Sequence, residues 1–289
     1  MKYNLKKYSF PNQIIQKAYY GILKRHWFYV TSPFRVLPDF FVIGVVRSGT
    51  TSLYHYLSQH NQIVRASYDE LGYFDDNFHL GENWYRSLFP TIFTKKKIET
   101  KYGKFLTYDV TPFYIYNPLV IKRIHTLFPN AKIIANLRNP IDRAYSNYNI
   151  MLKNGSEDIP FEKVIELEIQ EIEKKNTFLD DESFLVNDFY EILLARGFYA
   201  NQLEKWFHVF PKEQLLIISS EELSNKTETT LDNIFKFLDV SEQKIHDLSR
   251  KNERIYPKMN SETRHKLADY YRPHNEKLFK LIGKRFDWD

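Results

Sequence analysis

The chain has 289 residues, 41 Lys+Arg against 36 Asp+Glu, a formal charge of +5 and no cysteine. With 43% apolar residues it can bury a sizeable core, as one large α/β domain or two small ones. The missing thiols exclude a disulfide scaffold, a thiolate zinc site and a cysteine nucleophile. A charge of +5 over this length is a mild bias toward anionic ligands, not the footprint of a nucleic-acid binder.

Residues 1–38 form a basic and aromatic segment whose apolar residues are broken by Lys17, Lys24 and Arg25. It therefore offers neither the ~20 apolar residues of a membrane-spanning helix nor the apolar core of a signal peptide. Residues 14–30 read either as a helix packed on the domain or as an interfacial membrane anchor that inserts Trp27 and Phe28. Pro33 and Pro38 mark a linker, and residues 39–289 are expected to form one domain.

The first strand is expected over Phe40–Val46, a continuous apolar run of the kind that a sheet covered on both faces requires. Similar runs follow at 131–137 and 214–218. Helical patterns fall at 50–59, 118–128, 141–153, 161–175, 188–210, 231–238 and 261–282. Strands separated by helices predict an α/β fold with a central parallel sheet flanked by helices. The charge-rich run 165–175 reads as a solvated helix face.

Directly after the first strand comes Gly44-Val45-Val46-Arg47-Ser48-Gly49-Thr50-Thr51-Ser52. Free amides and the positive end of the following helix make such a turn an anion site. Gly49 allows close approach, and Thr50, Thr51 and Ser52 add hydroxyl donors beyond what helix capping needs. The spacing is that of a phosphate-binding loop with Thr50 in place of its lysine and the cation moved back to Arg47. No strand ends in the aspartate that would hold magnesium, which argues against ATP chemistry and leaves a small-molecule kinase as the alternative.

The strand at 131–137 delivers Arg138 to its carboxyl end, where open α/β sheets place ligands. Pro140 suits the first turn of a helix, and Ser146, eight residues beyond Arg138, can face the same crevice. A guanidinium and a hydroxyl there can grip one phosphate. The two strand ends together suggest a ligand with two separated anionic groups.

These two segments resemble the 5′-phosphosulfate loop and the 3′-phosphate motif of sulfotransferases that use 3′-phosphoadenosine 5′-phosphosulfate (PAPS). More narrowly, the chain is similar to the carbohydrate branch that includes the heparan sulfate N- and O-sulfotransferases. Further stretches carry the resemblance in the family's order: 69–74 (DELGYF), 83–90 (NWYRSLFP), 196–206 with Arg196-Gly197-Phe198-Tyr199, 256–259 (YPKM) and 270–278. The resemblance implies a P-loop-kinase-like sulfotransferase fold and in-line transfer of the sulfuryl group to a hydroxyl or amine, with adenosine 3′,5′-bisphosphate (PAP) as product. It implies Glu70 as general base, Arg47 as electrostatic stabiliser, and donor contacts from Arg47, Ser48, Gly49, Thr50, Thr51, Ser52, Arg138, Ser146, Tyr199 and Arg254, with Lys251 and Arg250 as substitutes in the last segment and core packing as the equal alternative for Tyr199. Arginine holds its proton too tightly to serve as an acid, so Arg47 is read as a charge, not a proton donor.

The chain departs from the family's pattern in two places. Val110 stands where heparan-type enzymes often carry lysine, and Asn252-Glu253-Arg254 replaces a Lys-Gly-Arg-type loop. The acceptor is expected to be a carbohydrate or glycoconjugate, with a lipid or other small alcohol as the alternative. The nine histidines show no metal-ligand spacing, and no metal is expected. Tyr68, Tyr73, Phe74, Tyr114 and Tyr116 read equally as core aromatics or as a platform for sugar rings. A location in the cytoplasm, soluble or peripheral to a membrane, is expected from the absence of an anchor in these residues. A membrane-surface binding module led by the N-terminus is a further reading, compatible with the enzyme.

Overall fold

The computed structural model describes residues 25–155, 159–174, 193–251 and 256–288. Its centre is a five-stranded sheet of β1 (Phe40–Gly44), β2 (Ile63–Arg65), β3 (Leu106–Val110), β4 (Lys132–Leu137) and β5 (Leu215–Ser219). The order is β2-β3-β1-β4-β5, and every pair is parallel. Phe40 lies opposite Tyr108 on one side and Lys132 on the other, so β1 is the central strand. The expected fold class is the one observed.

Alternation along β1 divides the interior in two, as a period of two residues requires. Phe40 and Val42 pack with Tyr108, Val110, Ile134 and Ile218 on one face, while Phe41 and Ile43 join Ile133 and Ala135 on the other. The helices in chain order are α1 (Arg25–Val30), α2 (Thr50–Leu57), α3 (Glu82–Arg86), α4 (Ile92–Tyr102), α5 (Pro118–Leu127) and α6 (Pro140–Lys153). They continue as α7 (Phe161–Lys174), α8 (Tyr199–Val209), α9 (Ser220–Asn225), α10 (Thr227–Leu238) and α11 (Ser261–Ile282). The first face is covered by α2 and α10 through Leu53, Leu57, Leu231 and Phe235. The second is covered by α5, α6, α8 and α11 through Ile124, Ala144, Leu203 and Leu267.

The strands β2 and β3 and the helices α3, α4 and α9 fall outside the sequence-based expectation, and two helices start elsewhere, α10 at Thr227 instead of 231 and α8 at Tyr199. The strand β2 is only three residues long, too short for a period to show. The strand β3 reads LTYDV, and its aspartate is a residue type that strands disfavour. The helix expected over 188–210 begins at Tyr199, after a short 3-10 turn at Ala195–Gly197; residues 188–192 lie outside the described residues. Just before that start the chain passes close to its neighbours at Gly197, where a Cβ would stand 2.8 Å from both Pro140 and Tyr271. Of the N-terminal segment 14–30, residues 14–24 lie outside the described residues and 25–30 form α1. The Arg35 guanidinium lies 4.3 Å from the centre of the Phe28 ring.

Candidate active site

The parallel sheet puts the carboxyl ends of β1, β4 and β5 side by side, and a cleft of about 400 Å³ opens there. The turn after β1 supplies its floor. Gly49 caps α2 with a left-handed φ of 84°, and Arg47 before it is also left-handed at 72°. This backbone presents the residues 47–52 to the cleft, all of which line it. The Ser48 hydroxyl donates to the carbonyl of Val45 (2.6 Å), fixing the turn from within. The neighbouring strand fixes it from outside: the Val45 amide donates to the Asn136 carbonyl (2.8 Å), and Asn136 Nδ2 donates to the Ser48 carbonyl (2.7 Å).

At the end of β4, Arg138 reaches back and donates to the Arg47 carbonyl (2.9 Å). Asn139 caps α6 through its side chain, with Pro140 in the first turn, so Ser146 is carried into the cleft two turns later. The Arg47 guanidinium donates to Ser146 Oγ (3.3 Å) and to the Tyr256 hydroxyl (3.4 Å), and Ser146 Oγ lies 3.2 Å from Tyr256 Oη. Three segments remote in sequence thus converge on one cation. Tyr256 belongs to the YPKM stretch, to which the sequence alone assigns no role in the site. Its signal was the tyrosine itself, which has no partner to specify it until the fold is known.

Lys251 lines the cleft, its amide donating to Ser52 Oγ (2.9 Å) and its ammonium to Asp247 (3.1 Å) and Ser249 (2.6 Å). Arg254 lies outside the described residues, as do Asn252 and Glu253. Tyr199 does not line the cleft. It is buried, and its hydroxyl donates to the Arg138 carbonyl (2.8 Å), which supports the strand end from below. Ser220, Glu221, Ser224 and Asn225 of α9 also line the cleft and were missed. The signal was available, because the end of the strand at 214–218 is a ligand position by the same rule that points to Arg138. Glu221 has a positioning part as well: its carboxylate accepts from the Asn139 amide (3.0 Å) and from Trp288 Nε1 (3.1 Å).

Glu70 reaches the same cleft from the loop after β2. Its amide donates to the Val110 carbonyl (2.8 Å), and its φ of 53° is left-handed. The aromatics around it are core residues. Tyr73, Phe74 and Tyr114 are buried, and Tyr73 stacks on Tyr85 at 4.2 Å between ring centres. Tyr116 is buried too, so of the five aromatics only Tyr68 retains substantial exposure.

The scaffold behind α6 is polar and buried. Arg143 is fully buried and donates to the Leu193 carbonyl, while Glu168 accepts from the amides of Leu193 (2.6 Å) and Leu194 (2.8 Å). Burial pushes the Glu168 carboxyl up to about 7, against the pull of those amides and of Arg143. Among the described residues no group of three or more His, Asp or Glu is placed to hold a metal ion.

Residues 37–289 match the family model described as the sulfotransferase domain. The chain belongs to the sulfotransferase domain family. It is 29% identical over 319 residues to the membrane-associated sulfotransferase kil1 of Dictyostelium discoideum, covering 87% of this chain and 66% of that protein. It is 31% identical over 277 residues to the human bifunctional heparan sulfate N-deacetylase/N-sulfotransferase 3, covering 86% of this chain and 30% of that one. The chain therefore spans less than two thirds of the length of these relatives. Among solved structures it is similar to a sulfotransferase from Alicyclobacillus acidocaldarius, with a TM-score of 0.65, 26% identity and coverage of 87% of this chain and 98% of that one.

Proposed function

We propose that the protein transfers the sulfuryl group of PAPS to a hydroxyl or amine of a carbohydrate or glycoconjugate. The observation that carries this reading is that Arg47–Ser52, Arg138, Ser146 and Glu70 line one cleft. The turn after β1 would hold the 5′-phosphosulfate, and Arg138 with Ser146 the 3′-phosphate. Glu70 takes the proton of the acceptor as its oxygen or nitrogen attacks sulfur. The bond from sulfur to the bridging oxygen breaks, and its electron pair stays on the 5′-phosphate of PAP. Arg47 and the turn amides neutralise the charge that develops there. Lys251 and Arg254 are proposed as further donor contacts, and Tyr199 as one that acts through Arg138. The carbohydrate assignment is favoured by the named heparan sulfate relatives. The test is direct: PAP should raise the melting temperature with a logarithmic dependence on its concentration, and labelled sulfate should pass from PAPS to members of a panel of glycans, glycolipids and small alcohols. No thermal shift at millimolar PAP would overturn the reading.

A second reading, contact with a membrane surface, is favoured by one patch. Val30 (71% exposed), Phe34 (55%) and Phe93 (70%) project from two segments that a bridge between Arg35 and Thr91 joins, with Lys96 and Lys97 exposed beside them. Exposed apolar side chains with lysines one turn along the same helix suit an anionic bilayer, and a relative is named as membrane-associated. Among the described residues no helix is long and apolar enough to cross a membrane. Co-sedimentation with anionic vesicles, reduced in a Phe93→Ser variant, is the expected outcome.

A further inference from the structure

Asp109 sits on β3 with no exposed surface and does not line the cleft. Its Oδ2 accepts from the hydroxyls of Tyr85 (2.8 Å) and Tyr114 (3.0 Å), and its Oδ1 from Thr111 Oγ1 (2.8 Å). Two of these hydroxyls turn their lone pairs to the loop that carries Glu70. Tyr114 Oη accepts from the amides of Tyr73 (2.9 Å) and Phe74 (3.3 Å), and Thr111 Oγ1 from the amide of Gly72 (3.3 Å). Three consecutive amides, beginning two residues after Glu70, therefore end on one carboxylate through two hydroxyls.

A hydroxyl has one proton. While Asp109 accepts it, Tyr114 and Thr111 are fixed as acceptors toward the loop, and each bond polarises the next. The loop needs such a hold, because Glu70 (φ 53°) and Gly72 (φ 59°) both lie in the left-handed region, which a free chain would leave at Glu70. An apolar residue at 109 would avoid the cost of burying a carboxylate, so the acid serves direction more than stability. Burial pushes its carboxyl up to about 6, against the pull of the three hydroxyls that donate to it. The arrangement also gives a part to the stretches 83–90 and 108–114, whose residues line the cleft nowhere except at Pro112.

We propose that Asp109 is a positioning residue for sulfuryl transfer, holding the Glu70 loop through Tyr114 and Thr111. This rests on the reading of Glu70 as the base. Asp109→Asn is the sharpest variant, because it keeps the shape but turns an NH₂ group toward a hydroxyl that must donate. At least one of Tyr85, Tyr114 and Thr111 then loses its acceptor and must redirect its proton. Tyr114→Phe removes the loop's anchor while leaving Asp109 in place, and serves if the first variant fails to fold.

The experiment measures turnover with PAPS and heparosan as acceptor probe, PAP affinity by calorimetry, and hydrogen exchange at the amides of residues 72–74. Either variant should lower kcat ~10- to 100-fold, the loss a displacement of about 1 Å brings, with PAP affinity within about twofold of the parent. Exchange at residues 72–74 should accelerate, and that readout decides the matter even where heparosan is not turned over. In a Glu70→Gln background Asp109→Asn should lower residual turnover less than about twofold, since its effect runs through Glu70. Unchanged exchange in both variants would overturn the proposal, and so would a full further loss in the Glu70→Gln background. If Glu70→Gln itself turns over normally, the base assignment fails instead, and the exchange result still reports on the loop.

Discussion

The proposed nucleotide side of the cleft and the proposed base side are built by different means. On the nucleotide side, each group sits within a few residues of the strand that delivers it: Arg47 to Ser52 after β1, and Arg138 to Ser146 after β4. On the proposed base side, Glu70 follows a strand of three residues, and the amides just beyond it donate to the hydroxyls of Thr111 and Tyr114 in the segment after β3. Each side rests on a carboxylate that accepts several hydrogen bonds, the buried Asp109 beneath the Glu70 loop and the half-buried Glu168 behind α6. A local motif can bind an anion wherever a sheet of this type forms. A base must also be aimed, and its aim is a property of the whole fold.

The comparison breaks most clearly at Glu70. Glu70→Gln should reduce sulfate transfer ~10²- to 10⁴-fold, the contribution of a positioned base, with PAP binding nearly intact by calorimetry. Lost binding would place Glu70 on the nucleotide side. Arg138→Ala should do the reverse. A charge-assisted hydrogen bond contributes about 1.5–3 kcal/mol, so PAP affinity should fall ~10- to 150-fold, whereas exchange at residues 72–74 stays as in the parent.

The acids Asp109 and Glu168 sharpen the comparison through pH. An acid whose folded value lies above its unfolded one binds its proton more tightly in the native state. Its stabilising effect is complete below the unfolded value and is lost as pH rises through the folded one. Stability should therefore decline from about pH 4 toward 7, and Glu168, raised to about 7, should contribute about 3 kcal/mol of that decline. Denaturant titrations across this range should show a flatter profile for Glu168→Gln up to pH 7, and for Asp109→Asn only up to about pH 6. The smallest effect is expected at Ser146→Ala. One neutral hydroxyl contributes about 1 kcal/mol, or roughly a fivefold loss of PAP affinity.

What could be read in advance follows the same division. The turn at 44–52 and the run 137–146 carry their meaning in short spacings, because a glycine, a proline and a strand end act on their immediate neighbours. The sheet was legible where strands are apolar on both faces. It was not legible at β3, where an aspartate serves hydroxyls from Tyr85 and Tyr114 and the chain alone gives no reason for it. Tyr256 and the residues of α9 join the cleft only because β5 lies beside β4. The close packing of Pro140 and Tyr271 around Gly197 was not legible either, being a contact among three distant segments.

The strand order has a consequence in time. Every pairing in the sheet is parallel, so none can begin as a hairpin, and each waits for a crossover to close. Pairing Phe40 with Lys132 joins positions that no short loop connects, and contacts of that separation form slowly. Until β4 docks, the turn after β1 lacks Asn136, and Arg138 is elsewhere. During refolding, therefore, the capacity to bind PAP should appear late and together with the native sheet, so that nucleotide binding reports completion of the fold.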